Sequence, residues 1–234
     1  MLDRPAFLIS CEHGGNLVPL GYRPLFVGAE NLLASHRGYD IGILPLARRF
    51  AQGLQAPLVV SQVTRLLVDL NRSEGHPGLF SELTRTLPES ERQQLLHDYY
   101  DPYRQQVRQK LQKLISSEGA VIHLSVHSFT PDLDGRIRRG EIGLLYDPDR
   151  SGELEFCSLW QANLRAALPE MRVRRNYPYK GTSDGLVTKL RQEYPAEQYL
   201  GIELEVNQSL PQQGGMLWER VQRELVETLQ QLAE

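Results

Sequence analysis

The chain has 234 residues, of which 41% are hydrophobic and 24% are charged, and its formal net charge is −3 at pH 7. This composition is typical of a soluble globular protein, and the small negative charge argues against a general affinity for nucleic acid or anionic membranes. We see neither a secretory signal pattern nor an apolar run of the roughly 20 residues that cross a bilayer. Two cysteines, Cys11 and Cys157, are too few for a disulfide framework. We therefore expect one cytoplasmic domain covering residues 1–234.

Short apolar runs alternate with amphipathic stretches along the chain. Runs of strand type lie at residues 6–10, 57–62, 120–126, 142–146, 171–174 and 199–206. Apolar residues with helical spacing cover residues 41–54, 87–119, 153–168 and 216–232. Pro102 predicts a kink or break of the second helix near Asp101. Strands that alternate with helices predict an α/β fold with a largely parallel or mixed central sheet.

Two segments are predicted to be long loops, at residues 71–88 and 127–141. Long loops within a compact domain are usually functional. In open α/β sheets, ligands bind beyond the carboxyl ends of the strands. Glu12 and His13 follow the first predicted strand and His127 follows the third, so we expect these side chains to meet at one edge of the sheet.

His13 and His127 are the candidate metal-binding pair. Neutral imidazole is a standard ligand of Zn²⁺, and a catalytic zinc takes three protein ligands and a water. The third ligand would be a carboxylate, either Asp40 or Glu12. The simpler interpretation is that each imidazole bonds only to nearby backbone. His123, within a strand, is predicted to be a histidine satisfied in the core or at an interface.

Two acids lie inside the last apolar strand. Glu203 and Glu205 share one sheet face by the period-two alternation of strands. A carboxylate in an apolar strand is costly unless it has a partner or a task, and a general base beside a metal has one. The alternative is an edge strand on which both acids face solvent. The glycine pair at residues 14–15 is expected to let substrate and metal approach the backbone.

The segment TRLLVDLNR, residues 64–72, contains Arg65, Asp69, Asn71 and Arg72. Arginine offers a bidentate fork for carboxylates, so this segment is a candidate clamp for an anionic substrate. A solvated strand exit is the alternative. Further arginines cluster at residues 136–139 and 174–175, and they favour a small acidic substrate over nucleic acid, since no aromatic residues of an RNA-binding platform lie between them.

Six blocks together resemble one known family. SCEHGGNLVP, HRGYDIG, TRLLVDLNRS, LSVHSFTP, RRNYPYKGTSDG and GIELEVNQSL come in the order of the conserved blocks of the N-formylglutamate amidohydrolase family, over about residues 7–210. The DLNR element is also similar to that of aspartoacylase and succinylglutamate desuccinylase, which are zinc deacylases of the carboxypeptidase-like type. The resemblance implies a three-layer αβα sandwich around a mixed central sheet. It also implies Zn²⁺, or another divalent metal, and hydrolysis of a linear amide, with N-formylglutamate giving formate and glutamate.

The resemblance assigns roles to individual residues. It makes His13, Asp40 and His127 the metal ligands, with Glu205 as general base for a metal-activated water and Arg65 as the stabiliser of the oxyanion. The residues matched to substrate binding are Asn71, Arg72, Asn176 and Tyr179. The His-x-x-Glu spacing of the carboxypeptidase relatives is absent, because Asn16 stands three residues after His13. The acidic ligand therefore stays open between Asp40 and Glu12, and Glu203 competes with Glu205 as the base.

Three functions remain to be compared. The first is a metal-dependent hydrolase of a small acidic N-acyl amino acid. The second is a related metallohydrolase that cleaves a peptide or cell-wall amide, because a fold does not define a substrate. The third is a non-catalytic protein that binds an acidic metabolite, which would need no base beside a metal. The sequence does not indicate an oligomeric state.

Overall fold

A computed structural model describes residues 6–233, and the described chain contains a six-stranded sheet and a separate two-stranded hairpin. The strands are β1 (Ala6–Cys11), β2 (Leu58–Val60), β3 (Val121–Phe129), β4 (Asp132–Leu133), β5 (Arg136–Ile137), β6 (Ile142–Leu145), β7 (Val173–Arg175) and β8 (Tyr199–Asn207). The sheet order is β2-β1-β3-β8-β6-β7, and β4 pairs with β5 in the hairpin. Neighbours in the sheet are parallel except β6 and β8, which are antiparallel. The sheet is therefore mixed.

Helices connect most of these strands. They are α1 (Glu30–Leu33), α2 (Ile43–Gly53), α3 (Glu89–Leu95), α4 (Asp101–Glu118), α5 (Ser151–Ala167), α6 (Leu186–Glu193), α7 (Ser209–Gln213) and α8 (Gly215–Ala233). A 3₁₀ helix covers Leu20–Phe26, and a π-helical turn, Leu96–Tyr100, joins α3 to α4. Among residues 6–233, no helix has both the length and the apolar character needed to cross a membrane.

The core lies on both faces of the sheet. On one face, α2, α5 and α8 cover the sheet, and Phe50, Trp160 and Leu225 are fully buried there. On the other face, Leu111 of α4 and Leu190 of α6 pack in a second apolar cluster. Burying one such side chain stabilises the fold by about 1.5–3 kcal/mol. The three-layer αβα architecture predicted from the sequence is confirmed.

The last strand shows how the sequence pattern becomes a site. Ile202, Leu204 and Val206 of β8 belong to the core formed with α2, α5 and α8. Glu203 and Glu205 point to the opposite face because alternate residues of a strand do so. Since β8 lies between β3 and β6, it is not an edge strand, and both acids are buried. The solvent-facing alternative is therefore excluded.

At the kink or break predicted near Asp101 the chain changes helix type but stays helical, since α3, the π-helical turn and α4 follow one another without a gap. The π-helical turn ends at Tyr100, and Pro102 is the second residue of α4. Proline is tolerated there because the first-turn N–H groups of a helix have no partner within it.

Three features differ from the sequence prediction. β3 continues to Phe129, so His127 lies inside the strand and not after it. The segment 127–141 contains the β4–β5 hairpin, whereas residues 71–88 contain no helix or strand. Helix α6 was not predicted, because eight residues give only about two turns of apolar periodicity.

Candidate active site

The site lies on the sheet face covered by α4 and α6, at the carboxyl ends of β1, β3 and β8. His127 of β3 stands opposite Glu205 of β8 in the strand register. Glu203 shares the face of Glu205, and Glu12 and His13 follow β1 directly. All five residues are at most 8% exposed. Three parallel strands therefore bring buried ionisable groups from distant parts of the chain to one place.

His13, Asp40 and His127 form one buried cluster. One potential ligand atom from each residue lies within 4.8 Å of the other two. The Oδ2 atom of Asp40 is 2.9 Å from Nδ1 of His127 and 3.6 Å from Nδ1 of His13. The backbone N–H of Asp40 donates to the carbonyl oxygen of His13 at 2.9 Å, which fixes the acid beside the first imidazole.

Each imidazole also contacts a second carboxylate through its Nε2 atom, on the side of the ring away from Asp40. Nε2 of His13 is 2.7 Å from Oδ1 of Asp69, and Nε2 of His127 is 3.1 Å from Oε2 of Glu12. Both rings are thereby turned so that Nδ1 faces Asp40. Metal-binding histidines commonly donate their second N–H to a carboxylate, which fixes the tautomer and orients the ring.

This cluster fits a divalent metal. Nδ1 of His13 is buried and has no hydrogen-bond partner. Two imidazole nitrogens and a carboxylate oxygen suit Zn²⁺, and they also suit other divalent ions. Burial would lower the pKa of His127, but Asp40 and Glu12 hold that pKa well above its usual range. The two buried carboxylates therefore favour positive charge at this position.

Glu12 differs from Asp40 in its contacts. The hydroxyl of Tyr103 donates to Oε1 of Glu12 at 2.8 Å, and the hydroxyl of Ser125 donates to Oε2 at 2.7 Å. Burial would raise the pKa of Glu12, but the hydrogen bonds from His127 and Ser125 hold it well below its usual range. Both oxygens are thus engaged on the side of His127 that faces away from Asp40. This geometry makes Asp40 the better candidate ligand and Glu12 the residue that orients His127.

Two acids remain as candidates for the base. Burial raises the pKa of Glu205 to about 8, and it also raises the pKa of Glu203. The Oε2 atom of Glu205 is buried without a hydrogen-bond partner. An unpaired buried oxygen is costly, so its presence in a cavity is typical of a functional group.

Arg65 lies between the two acids that contact His13. Its Nε and Nη2 atoms donate to Oδ2 of Asp69 at 3.1 and 2.7 Å, and Nη1 is 3.4 Å from Oδ1 of Asp40. Burial would raise the pKa of Asp69, but Arg65 and His13 hold it well below its usual range. The Arg65 side chain remains 25% exposed and lines the cavity.

Asn71 and Arg72 are both held against the start of α6. The side-chain oxygen of Asn71 accepts the N–H of Leu186, the first residue of α6, at 2.7 Å. Its side-chain nitrogen is 3.4 Å from Nε2 of His127. Nη1 of Arg72 donates to the carbonyl oxygen of Asp184 at 3.0 Å.

A cavity of about 120 Å³ joins these residues. Its lining contains the residues His13, Asp40, Arg65, Asn71, Arg72, His127, Ser128, Leu145, Tyr179, Lys180, Ser183, Asp184, Glu203 and Glu205. Asn176 is not in this lining. Its side-chain oxygen accepts the backbone N–H groups of Tyr146 and Gly181 at 3.1 and 2.9 Å. Asn176 therefore shapes the turn next to Tyr179, and direct contact with substrate stays a prediction.

Comparison with known proteins identifies the family. The sequence profile of the N-formylglutamate amidohydrolases matches residues 6–211. The chain belongs to the N-formylglutamate amidohydrolase family. It is accordingly a hydrolase of the amidohydrolase type, as the resemblance of the six sequence blocks predicted.

Two solved structures are similar to this amidohydrolase over nearly their whole length. A gene product of Agrobacterium tumefaciens has 27% sequence identity and a TM-score of 0.80, with 99% of this chain and 93% of that chain covered. N-formylglutamate amidohydrolase from Ralstonia eutropha JMP134 has 20% identity and a TM-score of 0.71, with 100% and 95% covered. A search of curated proteins found no match to this chain. The Ralstonia protein shows the shared fold.

The structure brings most of the predicted site residues of this amidohydrolase together. His13, Asp40, Arg65, Asn71, Arg72, His127, Tyr179 and Glu205 all line the cavity, and Asn176 lies behind it. Sequence reasoning gave no role to Tyr103 or Ser125, which hold Glu12. The parity of β3 offered one indication, because Ser125 shares a face with His127. Nothing in the sequence indicated Tyr103, which comes from a helix 91 residues away.

Gly14 and Gly15 were expected to let substrate and metal approach the backbone, but the close approach that the structure shows is to another part of the chain. A Cβ atom on Gly14 would lie 2.9 Å from the carbonyl oxygen of Ser61, and one on Gly15 would lie 2.7 Å from that of Gln62. The backbone N–H of Gly14 donates to the same Ser61 oxygen at 2.9 Å. The close approach is therefore made by the protein's own backbone after β2.

Proposed function

We propose that this amidohydrolase is a metal-dependent enzyme that cleaves the linear amide of a small acidic N-acyl amino acid, such as N-formylglutamate. The observation that carries the proposal is the cluster of His13, Asp40 and His127 beside the unpaired oxygen of Glu205. A non-catalytic binder would have no need for such an oxygen next to a metal site. Nucleic acid and membranes are not part of the proposal.

His13, Asp40 and His127 would hold the metal, with Zn²⁺ as the first choice and other divalent ions as alternatives. A divalent ion bound there would lower the pKa of a bound water and would polarise the acyl oxygen of the substrate. Asp69 and Glu12 keep the two imidazoles turned toward Asp40. These carboxylates therefore act on the metal through the rings that they orient.

Glu205 is the proposed general base. It accepts a proton from the attacking water as the water oxygen adds to the acyl carbon. It then returns that proton to the amide nitrogen, so that the C–N bond breaks and a carboxylic acid and an amine leave. Arg65 is assigned to the negative charge that develops on the acyl oxygen, a contribution of about 3–4 kcal/mol for one donor in comparable sites.

The substrate-binding residues lie next to this centre. Asn71 and Arg72 are proposed to hold the carboxylate next to the scissile amide, since Arg72 lines the cavity and has no ion pair with an acid of residues 6–233. Tyr179 is proposed to cover the substrate from the opposite wall. Asn176 contributes by fixing the turn that carries Tyr179.

Glu205→Gln tests the assignment of the base. We expect the variant to bind one equivalent of metal, as measured by elemental analysis, while turnover of N-formylglutamate falls by about 10²–10⁴-fold. Glu203→Gln is the matched variant on the same strand face, and its turnover should fall much less. Loss of turnover in Glu203→Gln with full turnover in Glu205→Gln would contradict the assignment.

A substrate panel tests the class of amide. We expect N-formyl amino acids with acidic side chains to be hydrolysed faster than N-acetyl and N-succinyl analogues, as followed by release of the free amine. Faster hydrolysis of a peptide or a cell-wall amide would favour the alternative substrate. Absence of turnover in a metal-loaded protein that still binds N-formylglutamate would favour the binder.

A further inference from the structure

The catalytic cavity is small compared with a typical ligand pocket. Its volume of about 120 Å³ lies well below the roughly 300–1,000 Å³ of pockets that enclose a drug-sized ligand. The acyl group and the scissile amide must reach the metal cluster and Glu205 at its inner end. The side chain of an N-acyl amino acid therefore projects toward the mouth of the cavity, where Tyr179 lies with 43% of its surface exposed.

The inner part of the cavity does not suit a second carboxylate. Glu203 and Glu205 line it and are buried acids, and Asp40 is occupied by the two imidazoles. Arg65 is paired with Asp69 and Asp40 and is already assigned to the acyl oxygen, so it has no free fork for a second carboxylate. Of the other cations in the lining, Arg72 is assigned to the carboxylate next to the scissile amide, and Lys180 is exposed at the mouth. A side-chain carboxylate is therefore bound by a cation at the mouth.

Arg138, on the loop after the β4–β5 hairpin, is such a cation. Its guanidinium carbon lies 4.9 Å from the ring centroid of Tyr179 and 5.8 Å from that of Phe129. Its Nη1 donates to the hydroxyl of Tyr179 at 3.0 Å, and its carbonyl oxygen accepts the side-chain N–H of Asn207 at 3.2 Å. No carboxylate of residues 6–233 forms a salt bridge with Arg138.

The contacts of Arg138 with Tyr179 place it beside the mouth of the cavity. Tyr179 is shared between the cavity wall and the stack with Arg138. Arg65 lines both this cavity and a neighbouring groove, which His36 also lines. Burial lowers the pKa of His36, and the charges of Arg37, Arg65 and Arg138 lower it further.

We propose that Arg138 is a specificity-determining residue that binds the side-chain carboxylate of the substrate at the mouth of the cavity. This inference rests on the proposed function. The two aromatic rings hold the planar guanidinium in place, and its remaining N–H groups form a fork that matches a carboxylate. Because the guanidinium is already ordered, little side-chain freedom is lost when the carboxylate binds.

Arg138→Met tests the inference with two substrates that differ only in charge, N-formylglutamate and N-formylglutamine. We expect KM for N-formylglutamate to rise about 10- to 100-fold. Because the metal cluster and Glu205 are untouched, kcat should change by less than about threefold. KM for N-formylglutamine should stay within about twofold, so that the preference for the acidic side chain disappears. Arg138→Lys keeps the charge without the fork and should give an intermediate KM.

Arg136→Met is the matched control, since Arg136 is exposed on the hairpin just before Arg138 and forms no cation–π contact with Tyr179 or Phe129. It should retain both wild-type KM values. An equal rise of KM for both substrates in Arg138→Met would overturn the inference, because it would indicate that Arg138 only supports Tyr179. An unchanged preference in Arg138→Met would overturn it as well.

Failure of the proposed function gives a different result. In that case the wild type hydrolyses neither N-formyl compound, and calorimetric binding of the same two ligands decides the role of Arg138. Tighter binding of N-formylglutamate by the wild type, with that preference lost in Arg138→Met, supports the inference. Equal binding of both ligands by the wild type overturns it.

Discussion

Asp40 and Glu12 are two buried acids beside the same imidazole, and their contacts give them different tasks. Asp40 faces Nδ1 of both rings, whereas Glu12 faces Nε2 of His127 and accepts two hydroxyl hydrogen bonds. A ligand contributes directly to the metal bond energy. A carboxylate that orients a ligand typically changes metal affinity by 10- to 100-fold.

These contacts predict different effects of removing each charge. Asp40→Asn should abolish stoichiometric zinc binding, and Glu12→Gln should weaken zinc affinity by about 10- to 100-fold. Competition with a chromophoric chelator measures both affinities. The opposite result would be wild-type zinc affinity in Asp40→Asn and no zinc binding in Glu12→Gln. It would make Glu12 the metal ligand and Asp40 the residue that orients His127.

His123 shows that a buried imidazole near this site need not be a ligand. Its Nδ1 is 2.8 Å from the hydroxyl of Tyr199, and its Nε2 is 2.8 Å from Oγ of Ser10, so both nitrogens are satisfied. The sequence-based prediction of a satisfied core histidine is confirmed. Burial lowers the pKa of His123 to about 4, and the residue is neutral in the folded protein at pH 7.

The lowered pKa of His123 predicts a stability change in mild acid. An unfolded histidine titrates near 6.5, so below that pH the unfolded state binds a proton that the folded state does not bind until about pH 4. Stability is therefore unaffected at pH 7, and it falls by about 2 kcal/mol between pH 7 and pH 5 from this residue alone. Glu205 and His127, whose pKa values are raised in the folded protein, contribute changes of the opposite sign over this range. The effect of His123 is therefore measured as the difference between the wild type and a His123 variant in urea unfolding with a chelator present.

The variant His123→Gln isolates the effect. Whatever its stability at pH 7, the variant should lose about 2 kcal/mol less than the wild type on going to pH 5. His97→Gln, at an exposed position of the π-helical turn, should keep the wild-type difference. Equal pH dependence of the wild type and His123→Gln would show that burial of His123 does not control acid stability.

At the scale of elements, the π-helical turn and α4 hold two parts of the site at once. Tyr103 of α4 donates to Glu12, which contacts His127 of the candidate metal site. Tyr100 and Arg104 both donate to the carbonyl oxygen of Arg72, at 2.8 and 2.7 Å. The Tyr100 and Arg104 side chains also stack, with 4.6 Å between the guanidinium carbon and the ring centroid. Single π-helical turns inside helices are frequent at functional sites, and this one precedes the residues that contact the site.

Arg104 should therefore control substrate binding from a distance. It is 3% exposed, and its Nη2 also donates to the carbonyl oxygen of Leu70 at 3.3 Å. Arg104→Met should displace Asn71 and Arg72 and lower kcat/KM by up to about 10²-fold, while zinc affinity stays close to that of the wild type. Steady-state kinetics and the chelator assay measure the two quantities.

Arg108→Met supplies the comparison on the same helix. Arg108 lies one turn later and forms a salt bridge with Glu193 away from the cavity. This variant should keep wild-type kcat/KM and lose little stability, since exposed pairs contribute about 0–1 kcal/mol. A parallel loss of zinc affinity and of kcat/KM in Arg104→Met would show a general loss of folding and not a role in positioning.

The same elements show how far the sequence could predict the structure. Period-two alternation in residues 199–206 placed Glu203 and Glu205 on one face, and Pro102 marked the position where the π-helical turn passes into α4. Periodicity reports only which side of its own element a residue occupies. Pairing of Tyr103 with Glu12, or of Asp69 with His13, depends on how distant elements pack, and a single sequence carries no such information.

At the scale of the whole molecule, the site is assembled from segments far apart in the chain. Residues 12–13, 40, 65–72, 103, 125–127 and 203–205 meet only when β1, β3 and β8 are paired and α4 covers them. The unfolded chain therefore has no preformed metal site. Any ion that binds the folded state preferentially must stabilise the whole fold by mass action.

Zinc is therefore expected to raise the melting temperature of the metal-free protein. At a free zinc concentration 100 times the dissociation constant, the stabilisation is about 2.7 kcal/mol. Each kcal/mol shifts the melting temperature of a domain of this size by about 2–4 °C, so the predicted rise is about 5–10 °C. Differential scanning calorimetry with and without zinc measures it.

His127→Asn, compared with its own metal-free form, should show no rise, because one of the two imidazoles that face Asp40 is gone. An equal rise in His127→Asn would mean that zinc binds elsewhere on the protein, and the cluster of His13, Asp40 and His127 would lose its assignment as the metal site.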